Sequence, residues 1–225
     1  MKGLEQKPVF HKLTGGQRVY YAVKSAMDFL IALVALILLA LPMGIIALVI
    51  KATDPGPVFF SQKRIGKDRT TFRMLKFRTM RMDTPRDTPT HLLADPQRYI
   101  TPVGRFLRKT SLDELPQLIN ILAGRMSIVG PRPALWNQFD LMEEREKYGA
   151  HQVRPGLTGW AQINGRDELE IPVKAALDGE YIRKFGFFMD IRCFFGTIGI
   201  LGGKGVVEGG TGQLQHREDQ TAESK

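Results

Sequence analysis

The sequence of 225 residues is poor in the side chains that build disulfides and zinc sites. Cysteine occurs once, at Cys193, so the chain cannot form an internal disulfide and suits a reducing compartment. The four histidines are scattered, and none of their spacings is typical of zinc ligands. The sequence therefore excludes a disulfide-stabilised scaffold and argues against a His/Cys metal centre.

Common nucleotide-binding and nucleic-acid-binding patterns are absent as well. Neither a Walker A sequence nor a G-x-G-x-x-G pattern occurs, and no helix-turn-helix or RNA-recognition pattern is evident. The net charge is nevertheless +9. This excess favours an anionic partner such as nucleic acid, acidic lipid headgroups or a phosphorylated substrate, and charge alone does not choose among them.

One long run without a charged residue covers residues 29–50. A helix of about 20 apolar residues crosses the hydrocarbon core of a bilayer, and this run is too long and begins too late for a secretory signal peptide. Lys and Arg near both ends argue against a simple crossing, and Pro42 and Gly44 offer a bend at which the chain turns back. The residues alone leave a spanning and a re-entrant helix equally open. Asp28 is expected to cap the helix or, as an alternative, to pair with a basic neighbour.

A basic segment and an arginine between two prolines follow the apolar run. Residues 62–82 mix Lys and Arg with apolar side chains, which next to a membrane helix favours contact with anionic lipid headgroups. Arg132 lies between Pro131 and Pro133, and both prolines restrict its backbone. A guanidinium held in this way is suited to clamp a phosphate or to form a structural ion pair.

Asp113 and Glu114 follow a basic stretch and begin an apolar helical pattern. The start of a helix favours negative charge, so both carboxylates are expected to be ionised in a place that also attracts phosphate. Adjacent helical side chains point about 100° apart, which predicts that one acid attacks while the other holds a metal. Ser111 and Glu114 also fit a capping box without any chemical role, which is the commoner meaning of this pattern.

Four ordered segments resemble the bacterial sugar transferase family, the monotopic phosphoglycosyl transferases. They are residues 75–80 (Leu-Lys-Phe-Arg-Thr-Met), 111–117, 130–133 (Gly-Pro-Arg-Pro) and 154–166. The resemblance covers approximately residues 22–201, and several motifs in series are more specific than one. It implies transfer of a sugar 1-phosphate from a UDP-sugar to undecaprenyl phosphate.

The resemblance also implies the residues of the site. Asp113 is the implied nucleophile, and Glu114 is its partner at a site for Mg²⁺ and phosphate. Asp178 and Asp190 match acidic positions of the family and are candidate substrate-binding residues. The basic residues implied to bind phosphate or nucleotide are Lys76, Arg78, Arg108, Arg132 and Arg166.

In the implied mechanism, the Asp113 carboxylate attacks the sugar-bearing phosphorus, and UMP leaves. Undecaprenyl phosphate then attacks the resulting acyl phosphate and forms undecaprenyl-diphosphate-sugar. Mg²⁺ and the arginines neutralise the phosphate charge. The reaction is expected at the cytoplasmic face of the bacterial inner membrane, as the first membrane step of exopolysaccharide, capsule, O-antigen or glycoprotein glycan assembly.

The predicted fold is mainly α with short β elements (α+β). Residues 1–21 are expected to form a cytoplasmic segment and 202–225 a flexible tail. Between them the family resemblance implies a re-entrant membrane helix over 22–51, broken near Pro42, and we expect a membrane-associated catalytic domain with amphipathic interfacial helices over 52–201.

The alternative hypothesis is a non-catalytic basic module, anchored in the membrane, that binds anionic lipid or an assembly complex. It leaves Asp113 and Glu114 without a role. A nucleic-acid partner is not expected, because it would leave the apolar run unexplained.

Overall fold

The computed structural model describes residues 8–84, 96–165 and 169–202. The described chain is mostly helical, with two short sheets and one long apolar helix near the N-terminus, which confirms the predicted fold class. Arg166 and the predicted tail after Gly202 lie outside the described residues.

Helix α1 (Gly15–Thr53) is the longest element, and it begins before the predicted boundary at residue 22. Thr14 and Gln17 form a capping box: each side chain accepts a hydrogen bond from the backbone N–H of the other residue. This start signal lies well before the apolar run of residues 29–50, so the run does not mark where the helix begins. Helix α1 is continuous through Pro42, so the predicted break at this residue is not seen.

Asp28 therefore lies inside α1 and does not cap it, so that prediction is wrong. Its carboxylate lies 3.5 Å from Lys24 Nζ and accepts a hydrogen bond of 2.5 Å from the Ser127 hydroxyl. All three residues are buried. The alternative that Asp28 pairs with a basic neighbour is confirmed.

One face of α1 packs against the rest of the protein at its start, middle and end. Residues in these three contacts include Tyr21, Ala32 and Ile50, on both sides of Pro42. The opposite face exposes apolar side chains to the surroundings: Val19, Val23, Met27, Leu30, Val34, Leu38, Leu41, Ile45 and Leu48. By length and composition, α1 qualifies as a membrane helix.

Strands β1 (Phe59–Ile65) and β2 (Thr71–Phe77) form an antiparallel hairpin in which Phe60 pairs with Lys76. A 3₁₀ turn at Lys67–Arg69 connects the two strands. The short helix α2 (Pro96–Tyr99) and helix α3 (Pro102–Lys109) follow along the chain. The Thr101 hydroxyl caps α3, which packs against the end of α1 through Leu107.

Helix α4 (Gln117–Leu122) packs against α1 and the hairpin. Asn120 joins it to β2: its side-chain oxygen accepts from the Leu75 N–H (2.9 Å), and its amide donates to the Arg73 carbonyl (2.8 Å). The Asn120 side chain thus forms hydrogen bonds with backbone groups of β2 on the edge that does not face β1, where a third strand would otherwise pair. This contact fixes α4, and the turn before it, relative to Lys76 in β2.

The C-terminal half is organised around a two-stranded parallel sheet, β3 (Ser127–Val129) and β4 (Gly156–Thr158). Helices α5 (Phe139–Glu146), α6 (Trp160–Ile163), α7 (Ile171–Arg183) and α8 (Phe187–Gly202) complete the described chain. Tyr181, Phe185, Met189 and Cys193 form the centre of this core. Helix α8 also exposes Phe187, Phe188, Phe194 and Phe195 on its other side, so it has one buried and one exposed apolar face.

Candidate active site

Asp113 and Glu114 lie in a short 3₁₀ turn, Leu112–Glu114, between α3 and α4. Ser111 precedes the turn in the left-handed region with φ of 57°, and its side chain forms no capping hydrogen bond. The capping-box interpretation of Ser111 and Glu114 is therefore wrong. The Ser111 backbone instead reverses the chain between the two helices, and the Glu114 side chain is left for other partners.

Lys76 of β2 lies against both carboxylates. Its Nζ is 2.7 Å from Glu114 Oε1 and 3.5 Å from Asp113 Oδ2. Arg132 approaches the same Glu114 oxygen with Nη2 at 3.3 Å, and its guanidinium is still partly exposed. The structure thus brings together four of the candidate residues, which are separated by up to 56 positions in the sequence.

The pKa values of the two carboxyls move in opposite directions. Burial raises the pKa of Asp113, and the charge of Glu114 adds to this effect, although Lys76, Arg108 and Arg132 oppose it. Burial also acts to raise the pKa of Glu114, but Lys76 and Arg132 outweigh it and hold the pKa at about 2. Glu114 is therefore a permanent anion near neutral pH, whereas Asp113 is the more basic carboxylate of the pair.

Asp178 reaches this site only through Arg145. The buried Arg145 donates from Nε to Asp178 Oδ2 (2.7 Å) and from Nη1 to the Arg132 carbonyl (2.9 Å). On the other side of Arg132, Arg64 donates to the Pro133 carbonyl at 3.0 Å. Two arginines thus hold the backbone of the Gly-Pro-Arg-Pro segment, and Asp178 orients one of them.

Two further candidate arginines, Arg108 and Arg78, bind groups other than the two carboxylates. The Arg108 Nε–H donates to the Thr79 hydroxyl (2.9 Å), and its charge lowers the pKa of Asp113. Arg78 is buried against Asp54, with Nη2 at 3.4 Å from the carboxylate, and also binds the Asp54 carbonyl. Arg78 therefore connects the C-terminal end of α1 to β2, the strand that carries Lys76.

Asp190 lies in a separate buried cluster that joins α1 to α7 and α8. Its Oδ2 is 2.8 Å from Lys24 Nζ and accepts a hydrogen bond of 2.8 Å from the Tyr20 hydroxyl. The Tyr181 hydroxyl donates to its other oxygen at 2.7 Å. Among the described residues, the partners of Asp190 do not include Asp113, Glu114 or their basic neighbours.

Sequence reasoning missed Asn120 and Arg145, which position the site without belonging to its motifs. Asn120 interrupts the otherwise apolar run Leu118–Leu122, and it is buried. A polar residue inside an apolar helical pattern needs a partner, so this position carried a signal. Arg145 sits among charged residues of an ordinary polar helix, and nothing in the sequence around it indicates burial.

The carboxylate pair is compatible with Mg²⁺. In the described ranges no group of three or more His, Cys, Asp or Glu side chains is arranged for a metal ion. Proteins commonly hold Mg²⁺ by one or two carboxylates together with substrate phosphates and water. Asp113 and Glu114 supply that minimal set of oxygen ligands.

Comparison with known proteins gives consistent matches over most of the chain. The family model described as bacterial sugar transferase matches residues 19–203. The UDP-glucose:undecaprenyl-phosphate glucose-1-phosphate transferase of Escherichia coli K12 is 41% identical over 207 residues. That match covers 88% of this chain and 44% of the relative, so the chain spans less than half of that protein.

Two other relatives differ in how much of their length this chain covers. The exopolysaccharide production protein ExoY of Sinorhizobium fredii is 37% identical over 189 residues, which cover 78% of this chain and 83% of the relative. The UDP-N-acetylgalactosamine-undecaprenyl-phosphate N-acetylgalactosaminephosphotransferase of Aeromonas hydrophila is 38% identical over 186 residues. Its match covers 80% of this chain and 44% of the relative.

Proposed function

This chain belongs to the bacterial sugar transferase family, and we propose that it transfers a sugar 1-phosphate from a UDP-sugar to undecaprenyl phosphate. The products are undecaprenyl-diphosphate-sugar and UMP, in the first membrane step of a surface glycan such as an exopolysaccharide. The observation that carries the proposal is the Asp113–Glu114 pair with Lys76 and Arg132 around it. The relatives name both glucose and N-acetylgalactosamine, so family membership leaves the sugar open.

In the first step, a carboxylate oxygen of Asp113 attacks the phosphorus that carries the sugar. The bond from that phosphorus to the UMP oxygen breaks, UMP leaves with the electron pair, and an aspartyl-phosphosugar forms. The raised pKa of Asp113 supports this role, because a more basic carboxylate is the better nucleophile. Glu114 remains an anion throughout, owing to its low pKa.

In the second step, a phosphate oxygen of undecaprenyl phosphate attacks the same phosphorus. The bond to Asp113 breaks and the carboxylate is returned, so the enzyme is ready for another donor. Lys76, Arg108 and Arg132 are placed to neutralise phosphate charge in both steps, which is the main source of rate enhancement in phosphoryl transfer. Mg²⁺ held by Asp113 and Glu114 together with the donor phosphates would supply further charge neutralisation.

The proposal includes a re-entrant α1 and a catalytic domain on the cytoplasmic face of the inner membrane. Two observations support this topology: residues before and after Pro42 contact the same domain, and the opposite face of α1 is apolar and exposed. A helix that simply crossed the bilayer would carry one of its halves away from the domain. The exposed aromatic face of α8 favours an interfacial position for that helix, and the basic hairpin favours contact with anionic lipids.

The test is release of UMP from a panel of UDP-sugars by purified protein with Mg²⁺ and undecaprenyl phosphate. We expect release with one donor, dependent on the lipid, and a loss of about 10³-fold or more in Asp113→Asn. Asp83→Asn, an exposed carboxylate of the same type, is the matched control and should keep full activity. Wild-type rates in Asp113→Asn, or no release from any donor, would reject the proposed reaction.

The order of the two steps gives a kinetic test of the covalent intermediate. When donor and acceptor are varied together, double-reciprocal plots should give parallel lines, as in a ping-pong reaction. Incubation with donor alone should add the mass of the phosphosugar to the peptide that contains Asp113. Intersecting lines without a modified peptide would indicate direct transfer in a ternary complex instead.

A further inference from the structure

A cavity of about 260 Å³ opens beside the start of α1. It lies far from the carboxylate pair: Lys67 precedes β2, whereas Lys76 lies near the other end of that strand, and about 17 Å of strand separates Thr71 from Lys76. Six residues line it: Leu13, Arg18, Tyr21, Lys67, Asp68 and Gln152. The proposed transfer reaction uses none of them.

Hydrogen-bond donors without acceptors converge on this cavity. The Lys67 ammonium lies 4.9 Å from the centre of the Tyr21 ring and is only loosely paired with Asp68, at 3.8 Å. The Arg18 side chain has no hydrogen-bond or ion-pair partner among the described residues, and the buried Tyr21 hydroxyl, which lies near the Arg154 backbone N–H, donates to no acceptor there. A buried hydroxyl without an acceptor is unfavourable, so the arrangement favours a ligand that accepts hydrogen bonds.

The walls of the cavity are held in place by other contacts. Gln152 accepts from the Leu13 N–H (3.1 Å) and donates to the His11 carbonyl (2.6 Å), which fixes the chain before α1. On the hairpin side, Asp68 and Arg69 have φ of 51° and 58°, in the left-handed region that residues other than glycine seldom adopt. Such strain persists where surrounding structure enforces it, and it is common at binding sites.

We propose that this cavity binds the phosphate group of a membrane phospholipid. A guanidinium, an ammonium and a phenolic hydroxyl are suitable donors to phosphate oxygens. Asp68, exposed at the cavity, offers an acceptor to the amine or hydroxyl groups of the headgroup. The chemistry requires only a phosphate, and the location favours a lipid as its source.

The location follows from the apolar side chains that surround the cavity. Val19, directly after Arg18, begins the exposed apolar face of α1. Phe185 packs on Tyr21 with ring centres 6.2 Å apart, and the nearby Phe188 is 85% exposed. Exposed aromatic and aliphatic groups beside cations are typical of the level at which headgroups meet the hydrocarbon region.

The experiment measures lipid binding by native mass spectrometry of the full chain in detergent, titrated with phosphatidylglycerol, phosphatidylethanolamine or diacylglycerol. We expect one tightly held phospholipid and no equivalent binding of diacylglycerol, which lacks the phosphate. Arg18→Gln and Lys67→Gln should each weaken binding about tenfold or more, and Tyr21→Phe by a smaller factor. Lys147→Gln removes an equal charge from an exposed surface pair outside the cavity and should leave the affinity unchanged.

Three other results of this titration would overturn the proposal. Equal affinity in Arg18→Gln, Lys67→Gln and wild type would overturn the proposal, as would an equal loss in Lys147→Gln, which would indicate unspecific attraction of charge. Competition by inorganic phosphate at low concentration would assign the cavity to free phosphate and reject the lipid. Because binding is measured without a UDP-sugar, failure of the transfer reaction does not affect this result.

Discussion

At the scale of single residues, Asp113 and Glu114 are neighbours in the chain with different chemical environments. Lys76 Nζ is 2.7 Å from Glu114 and 3.5 Å from Asp113, and Arg132 contacts only Glu114 of the two. Burial acts to raise the pKa of both carboxyls. The cationic partners of Glu114 outweigh burial and lower its pKa, whereas those of Asp113 do not, and its pKa rises. This separation of the two pKa values fits the proposed roles of Asp113 as nucleophile and Glu114 as permanent anion.

The opposite pKa shifts of Asp113 and Glu114 predict how the acidic limb of the pH–rate profile moves when a neighbour of Asp113 is replaced. Activity requires ionised Asp113 and is lost as pH falls through its pKa. Lys76 lowers this pKa and Glu114 raises it, so Lys76→Met should move the limb to higher pH and Glu114→Gln to lower pH. Both variants should also lose activity, by about 10²–10³-fold. The measurement is kcat/KM for UMP release against pH; shifts of the two variants in the same direction would contradict the assignment.

At the scale of elements, the site depends on contacts that hold one helix against another. Arg145 of α5 and Asp178 of α7 are both buried, and Arg145 also binds the Arg132 carbonyl. By contrast, Lys184 and Glu180 form a similar ion pair at 2.6 Å on the surface. A buried charge that loses its partner is strongly destabilising, whereas exposed pairs contribute little.

We therefore expect that removing Arg145 lowers the free energy of unfolding much more than removing Lys184. Arg145→Met should lower the free energy of unfolding by about 3–5 kcal/mol, because Asp178 remains buried without its partner. Lys184→Met should cost about 0–1 kcal/mol. Denaturant unfolding in detergent, followed by circular dichroism, measures both values. Similar losses in the two variants would show that the Arg145–Asp178 pair does not hold α5 against α7.

At the scale of the whole molecule, α1 is part of the folded domain along most of its length. Buried polar contacts attach its first half, through Lys24, Asp28 and Asp190, and apolar contacts attach its second half. The end of the helix is connected to the hairpin by Arg78 and Asp54. Helix α1 and the Asp113–Glu114 pair therefore keep a fixed relative position, which would suit the proposed reaction between a soluble donor and a lipid acceptor.

The re-entrant topology predicts that both flanks of α1 lie on one side of the membrane. Single cysteines at Val9→Cys and Lys63→Cys, both at exposed positions, would report on the two flanks. The native Cys193 is buried and should react slowly. In intact cells, a membrane-impermeant maleimide should label neither position until the cells are lysed. Labelling of exactly one flank before lysis would establish a spanning helix.

Features that depend on a short stretch of chain could be predicted from local sequence patterns. Three local patterns are of this kind: the apolar run, the acid pair and the Pro-Arg-Pro turn. In the structure, the run is a long helix, the two acids lie side by side in one turn, and the Arg132 carbonyl accepts a hydrogen bond from Arg145. The mainly helical fold class was predictable for the same reason, because helical periodicity is a local property.

Contacts between groups far apart in the chain could be seen only in the fold. Asp178 and Asp190 are similar acidic positions in the sequence, but one orients Arg145 and the other joins Lys24 to Tyr181. The opposite pKa shifts of Asp113 and Glu114 likewise depend on Lys76, which approaches from a different element. Burial and ion pairing are set by contacts between segments far apart in the chain, and no local pattern specifies them.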